Sequence, residues 1–151
     1  MSSSLVGIAI GIGILMNMMS FEVFGLSLGG MVVPGYLALN FSHPAYILTT
    51  ILVAVFVYVL IRILSNFILI FGRRHLMISI FLGFLVGSLV EHYSAFFSPP
   101  YAVEVVGFIV PGLIAYWMER QGILRTVTVM ITGSIMTHLF VIIATSGKIL
   151  L

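Results

Sequence analysis

Few residues in this chain can do chemistry, and the most telling is a charge in an apolar setting. Arg62 lies inside the apolar run 46–71. A guanidinium there needs a carboxylate, a polar path or an anionic ligand to stand next to. It is either a contact for an anionic substrate or half of a structural ion pair with a buried glutamate. Glu91 follows Gly83 and Gly87 at helical spacing, so it shares their face. It could pair with Arg62 or relay protons. Pro34-Gly35 and Pro111-Gly112 each interrupt an apolar stretch. Proline is favoured in the first turn of a helix, and a helix starting there aims unpaired N–H groups and a partial positive charge at whatever lies ahead. Carboxylates and phosphates suit such a place. Alternatively, these prolines only kink helices for packing.

Other chemistries lack their residues. His43, His75, His92 and His138 show no metal-ligand spacing, and the chain has neither Cys nor Asp, so no metal site is expected. There is no phosphate-binding Gly-x-x-x-x-Gly-Lys loop, no His-Glu-x-x-His and no Gly-x-Ser-x-Gly elbow. No catalytic residue is expected. An ATP-driven step would need a nucleotide site on another polypeptide.

The elements that position these groups must lie in a membrane. The chain has 151 residues, is 62% hydrophobic and 7% charged, and has a mean hydropathy of +1.31. A soluble domain of this size needs far more charge to cover its surface. Residues 1–151 therefore read as one all-α integral membrane domain with no room for a soluble catalytic one. Ser2, Ser3 and Ser4 bring no basic n-region, so no cleaved signal peptide is expected. Five Arg and one Lys against four Glu give a net charge of +2, too little to drive nucleic-acid binding.

A repeat organises the chain. GMVVPGYLA at 30–38 returns as GFIVPGLIA at 107–115, 77 residues on, with five of nine positions identical. Apolar segments at 5–21, 26–39, 46–71, 76–90 (extendable to 97), 105–118 and 123–144 group into two triplets, about 5–72 and 76–147, each with its middle segment broken at Pro-Gly. Gly7-x-x-x-Gly11 and Gly83-x-x-x-Gly87 lie 76 residues apart, and small residues four apart let helix backbones approach closely. The third segment of each triplet carries a polar stripe: Tyr58, Arg62, Ser65, Asn66 and, if the helix continues, Arg73, then Ser134, Thr137, His138 and, just past the span, Thr145. Lipid does not face such a stripe, so it should look into the bundle, a pore or a partner.

Three crossings per triplet make the second repeat inverted relative to the first. Placing Arg73 and Arg74 in the cytoplasm then places Arg120 and Arg125 there too, with Lys148 outside, in accord with the positive-inside rule. The rival arrangement makes both Pro-Gly segments re-entrant and leaves four spans.

At these phrases the chain resembles a known family, the small membrane subunit of poly-γ-glutamate synthases, PgsC or CapC. The likeness rests on the phrase from Gly30 to Leu39, on Phe71-Gly72-Arg73-Arg74-His75, on IVPGLIA at 109–115, and on Glu119-Arg120-Gln121-Gly122, with Glu22 and Gly25 at the family's spacing ahead. Val23 stands where the family leads one to expect arginine. The resemblance implies a multi-pass subunit in a bacterial cytoplasmic membrane, within a complex that makes and exports a γ-linked glutamate polymer for a capsule or secretion. It implies a cytoplasmic partner similar to Mur ligases, carrying ATP and a divalent metal, and membrane-anchored export subunits. This chain would itself be non-catalytic and hold no cofactor. The polyanion's path would involve Arg62, Asn66, His138 and the half-helix starts at Pro34, Gly35, Pro111 and Gly112. Arg73, Arg74, His75, Glu119, Arg120 and Arg125 would dock the ligase. One bundle this small cannot enclose a polymer, so a homo-oligomer or shared pore is expected, packed through the Gly7, Gly11, Gly83 and Gly87 helices. The alternatives are an inverted-repeat secondary transporter for a small anion and a pure scaffold for the ligase.

Overall fold

A computed structural model describes residues 3–69, 72–97 and 109–145, which are all helix, turn and connecting loop. The helices are α1 (Ser3–Phe24), α2 (Val33–Leu39), α3 (Pro44–Ser65), α4 (Arg73–Phe97), α5 (Val110–Gln121) and α6 (Ile123–Ala144). Gly107 and Phe108 of the second phrase, together with Phe71 and Lys148, lie outside the described residues. α1, α3, α4 and α6 are long and apolar enough to cross a membrane. At about 1.5 Å per residue, 22 residues of α1, α3 or α6 cover a hydrocarbon core of roughly 30 Å. Leu15, Leu52, Phe56, Phe81, Leu139 and Ile143 are exposed on these helices, an apolar perimeter suited to lipid.

The hydroxyls embedded in this apolar sequence are satisfied locally. Thr50 donates to Tyr46 O, Thr128 to Leu124 O, Ser134 to Met130 O and Thr137 to Gly133 O, each one helical turn back. That bond lets Ser and Thr sit in a membrane helix without a polar neighbour.

The two short helices fill the centre. Val33 and Leu37 of α2 meet Val110, Ile114 and Met118 of α5, with Ala54 and Met130 closing the cluster from α3 and α6. α1 packs on α2, and α4 packs on α5; α3 then lies against α5 and α4, and α6 against α2 and α1. Each half of the chain thus covers the short helix of the other half, and neither closes a core alone.

Both Pro-Gly starts are seated on a long helix at near-contact of backbones. Proline occupies the first turn of α2 and of α5, as its missing N–H favours. A Cβ built on Gly35 would come 2.7 Å from Ala9 O and 2.8 Å from Ile10 Cα; one on Gly112 would run into Ser79 O and come 2.7 Å from Ile80 Cα. From the other side, a Cβ on Gly13 would meet Gly35 N, and one on Gly83 would meet Gly112 N. The partners therefore correspond as Ala9 to Ser79 and Gly13 to Gly83, 70 residues apart. Within the single chain Gly7 and Gly11 have nothing within 4 Å of a built Cβ, so the close backbone approach on α1 is made by Gly13. Glycine spacing alone does not fix which face a helix presents; here the face is set by contact with the Pro-Gly start. Twenty-two residues separate Gly13 from Gly35, whereas 29 separate Gly83 from Gly112, so the first helices fall out of the 77-residue register.

Contacts at the two ends of the bundle give the chain's path. Ser27, just past α1, is hydrogen-bonded to Gln121 at the end of α5, and Phe21 meets the Trp117 ring at 6.3 Å. His75, at the start of α4, reaches Glu119. Hence α1 ends, α4 begins, α5 ends and α6 begins at one end, and α1 and α4 run in opposite directions. At the other end, His138 of α6 bonds Ala38 O and stacks near Phe41. The strap 25–32 and α2 therefore carry the chain from the first end to the second.

Candidate functional site

The end where α5 stops gathers six charged or ionisable side chains. Arg73, Arg74 and His75 begin α4, Glu119 and Arg120 close α5, and Arg125 lies in the first turn of α6. Gly122 makes this compact: at φ +91° it turns the chain from α5 straight into α6. His75 Nε2 lies 2.7 Å from Glu119 Oε2, and neither atom has another partner among the described residues. Tyr116 is shared, with the His75 ring 5.1 Å from its centre and the Arg120 guanidinium 5.3 Å above it. The exposed Arg73, Arg74, Arg120 and Arg125 leave this end positive, a surface for an acidic partner or an anionic chain.

Below it lies the strap 25–32, pinned on both sides. Asn17 is 7% exposed, and its Oδ1 accepts from Leu28 N at 2.8 Å and Ser27 Oγ at 3.1 Å. Gln121 brackets the Ser27 backbone, accepting from its N–H at 2.6 Å and donating to its carbonyl at 3.0 Å. Leu28 then inserts against Gly133, where a Cβ would clash with its side chain. Asn17 and Ser27 had no place in the sequence reading, and Gln121 entered it only as part of the phrase 119–122. A lone amide in an apolar run was the available signal for Asn17, because lipid would not tolerate it unpaired.

The remaining predicted residues do not converge on one point. α3 stops at Ser65, with Asn66 and Phe67 turning on carbonyls of its last turn. Arg62 is therefore in the final helical turn, close to the basic end, rather than deep in a longer span. It is exposed and donates to Tyr58 Oη at 3.0 Å. Ser65 and Asn66 are exposed beside it, so these three residues of the stripe face out of the single chain, while Tyr58 packs against the core. The second stripe turns inward: Ser134 and Thr137 are buried and self-satisfied, and His138 alone reaches across to another helix. Because a carbonyl only accepts, the 2.8 Å contact of Nδ1 with Ala38 O puts a proton on Nδ1. Pro34, Gly35, Pro111 and Gly112 are buried against helix backbone. Gly83 and Gly87 are buried on α4, and Glu91 is half-buried one turn further on, engaged by a partner. Among the described residues no group of three or more His, Cys, Asp or Glu could hold a metal ion.

Comparison with known proteins bears on this arrangement. A family model described as capsule biosynthesis CapC matches residues 12–127. The chain belongs to that family. It is 33% identical over 142 residues to the PGA biosynthesis protein CapC of Bacillus subtilis (strain 168), covering 89% of this chain and 93% of the relative. It is 31% identical over 131 residues to the capsule biosynthesis protein CapC of Bacillus anthracis, covering 84% and 88%. No solved structure matches the chain. The matched region runs from mid-α1 into the first turn of α6 and so takes in the strap, both Pro-Gly starts and the basic end.

Proposed function

We propose that this chain is the membrane subunit of an ATP-dependent complex in the bacterial cytoplasmic membrane that synthesises and exports poly-γ-glutamate. The observation that carries this is the likeness, nearly end to end, to a protein named for PGA biosynthesis. The positive end built from Arg73, Arg74, His75, Glu119, Arg120 and Arg125 is suited to receive a cytoplasmic ligase and the polyanion it makes. ATP and a divalent metal belong to that ligase, and this chain supports the reaction without catalysing it.

The polymer's route follows from what the bundle leaves open. Seven apolar side chains from α2, α5, α3 and α6 occupy the centre, and the Pro-Gly starts are closed off by α1 and α4. A polymer with a carboxylate on every residue does not pass through such a core. Arg62 and Asn66 point outward instead, so the path runs along this face, between copies of the chain or between it and export subunits. Pro34, Gly35, Pro111 and Gly112 shape the bundle behind that path, while His138 ties α6 to α2. The matched seating of the two Pro-Gly starts and the opposed α1 and α4 support an inverted repeat. A small-anion transporter needs a central site that opens in turn to both faces, and the centre is filled.

Membranes holding this chain with its ligase, given ATP and glutamate, should make polymer that ligase alone does not. In that system Arg62→Gln should lower polymer output at unchanged levels of both proteins. Full output from Arg62→Gln would leave the chain a scaffold for the ligase, and equal output from ligase alone would remove it from synthesis.

A further inference from the structure

A groove of about 680 Å³ runs down the outside of the bundle between α1, the strap, α4 and α5. Its upper rim carries two opposite charges, Glu22 and Arg120. Glu22 makes no ion pair among the described residues, and Arg120 engages only the Tyr116 ring. An unpaired carboxylate and an unpaired guanidinium thus face one cavity. Below them the walls are mainly apolar: Ile14, Met18, Phe21 and Met31 are 42%, 58%, 52% and 69% exposed, and all line the groove.

The groove's length is informative. Glu22 and Ile14 are eight residues apart on α1, roughly 12 Å at helical rise. One leaflet of a bilayer core is about 15 Å deep. The groove therefore starts at the interface, where Trp117 lines it as interfacial aromatics commonly do, and descends through one leaflet. A polyanion does not suit an apolar trough, and a wholly apolar occupant leaves both charges unmet.

We infer that this groove is a binding site for a zwitterionic glycerophospholipid of the phosphatidylethanolamine type. Its acyl chain lies along Ile14, Met18, Phe21 and Met31, its phosphate meets Arg120, and its ammonium group meets Glu22. The neighbouring groove around Met16, Met19 and Met136 has no charged residue in its lining, and it carries no headgroup preference.

The test uses the full chain in nanodiscs of equal phosphatidylethanolamine and phosphatidylglycerol, with retained lipid counted by native mass spectrometry. The unaltered chain should retain more phosphatidylethanolamine than phosphatidylglycerol. Glu22→Gln should lower that ratio about three- to fivefold, the change expected from one interfacial ion pair. Arg120→Gln should weaken retention of both lipids, since both carry the phosphate. Met31→Trp should reduce total retained lipid by filling the trough, while Met136→Trp, in the neighbouring groove, should leave the ratio as it is. No preference in the unaltered chain, an unchanged ratio in Glu22→Gln, or undiminished lipid in Met31→Trp would each overturn the assignment. So would recovery of a different amphiphile in the groove.

Discussion

Gly35 and Gly112 do the same work in the two halves of the chain: each lets a half-helix begin against the backbone of a long helix. The residues they meet are carbonyls and Cα atoms, which cannot move aside as a side-chain end can. Gly35→Ala or Gly112→Ala should therefore cost roughly 1–3 kcal/mol, the usual penalty of overpacking. That loss should appear as a lower unfolding midpoint in detergent. Gly7→Ala and Gly11→Ala face open space and should leave the midpoint unchanged or slightly raised, because Ala is the better helix former. Equal losses at all four positions would mean that Gly7 and Gly11 pack against something in detergent, a second copy above all. The hydroxyls show why residue type alone misleads. Ser134 and Thr137 read as a polar stripe, yet each spends its donor on its own helix, so only His138 carries polarity to a neighbour.

Among the elements, the strap 25–32 is the one whose conformation depends most on a few side chains. Gly29 and Gly30, at φ +85° and +132°, allow a backbone that other residues rarely adopt, and Asn17 and Gln121 hold it. Asn17→Leu keeps the branched shape but leaves Leu28 N and the Ser27 hydroxyl without their acceptor. A buried donor left unmet costs about 1–3 kcal/mol. Amide exchange at Ser27 and Leu28 should therefore accelerate about ten- to a hundredfold in this variant, while the middle of α3 keeps its protection. Acceleration throughout would mean that the strap belongs to the global unfolding unit. Element boundaries were legible where chemistry punctuates the chain: Pro34 and Pro111 mark helix starts that sequence alone located. The end of α3 was not legible, because Phe67, Ile68 and Leu69 continue the apolar run past Ser65 and hide the turn. Nor was the face of α1, since Gly7, Gly11 and Gly13 are equally small and only tertiary contact selects Gly13.

At the scale of the whole molecule, the membrane class, the order of segments and the clustering of Arg73, Arg74, Arg120 and Arg125 could be read from composition and spacing. The interleaving could not: nothing local tells α3 to cover α5, or α6 to cover α2, because those choices bury core from both halves at once. This interleaving fixes a testable sidedness. Phe24 and Asn40 lie at opposite ends of the bundle, so the strap and α2 together cross it. The chain contains no cysteine, so single cysteines can be introduced without background. Cysteine at Ser4, Ser42 or Thr145 should react with an impermeant maleimide added outside intact cells. Cysteine at Arg74 or Arg125 should react only once the membrane is opened, in keeping with the positive-inside rule. Ser4 and Arg125 are the deciding positions. With Arg74 in the cytoplasm, re-entrant Pro-Gly segments would leave four spans, shield Ser4 and expose Arg125. Labelling of Ser4 from outside, with Arg74 and Arg125 shielded, requires six crossings, and with them the opposed orientation of the two halves.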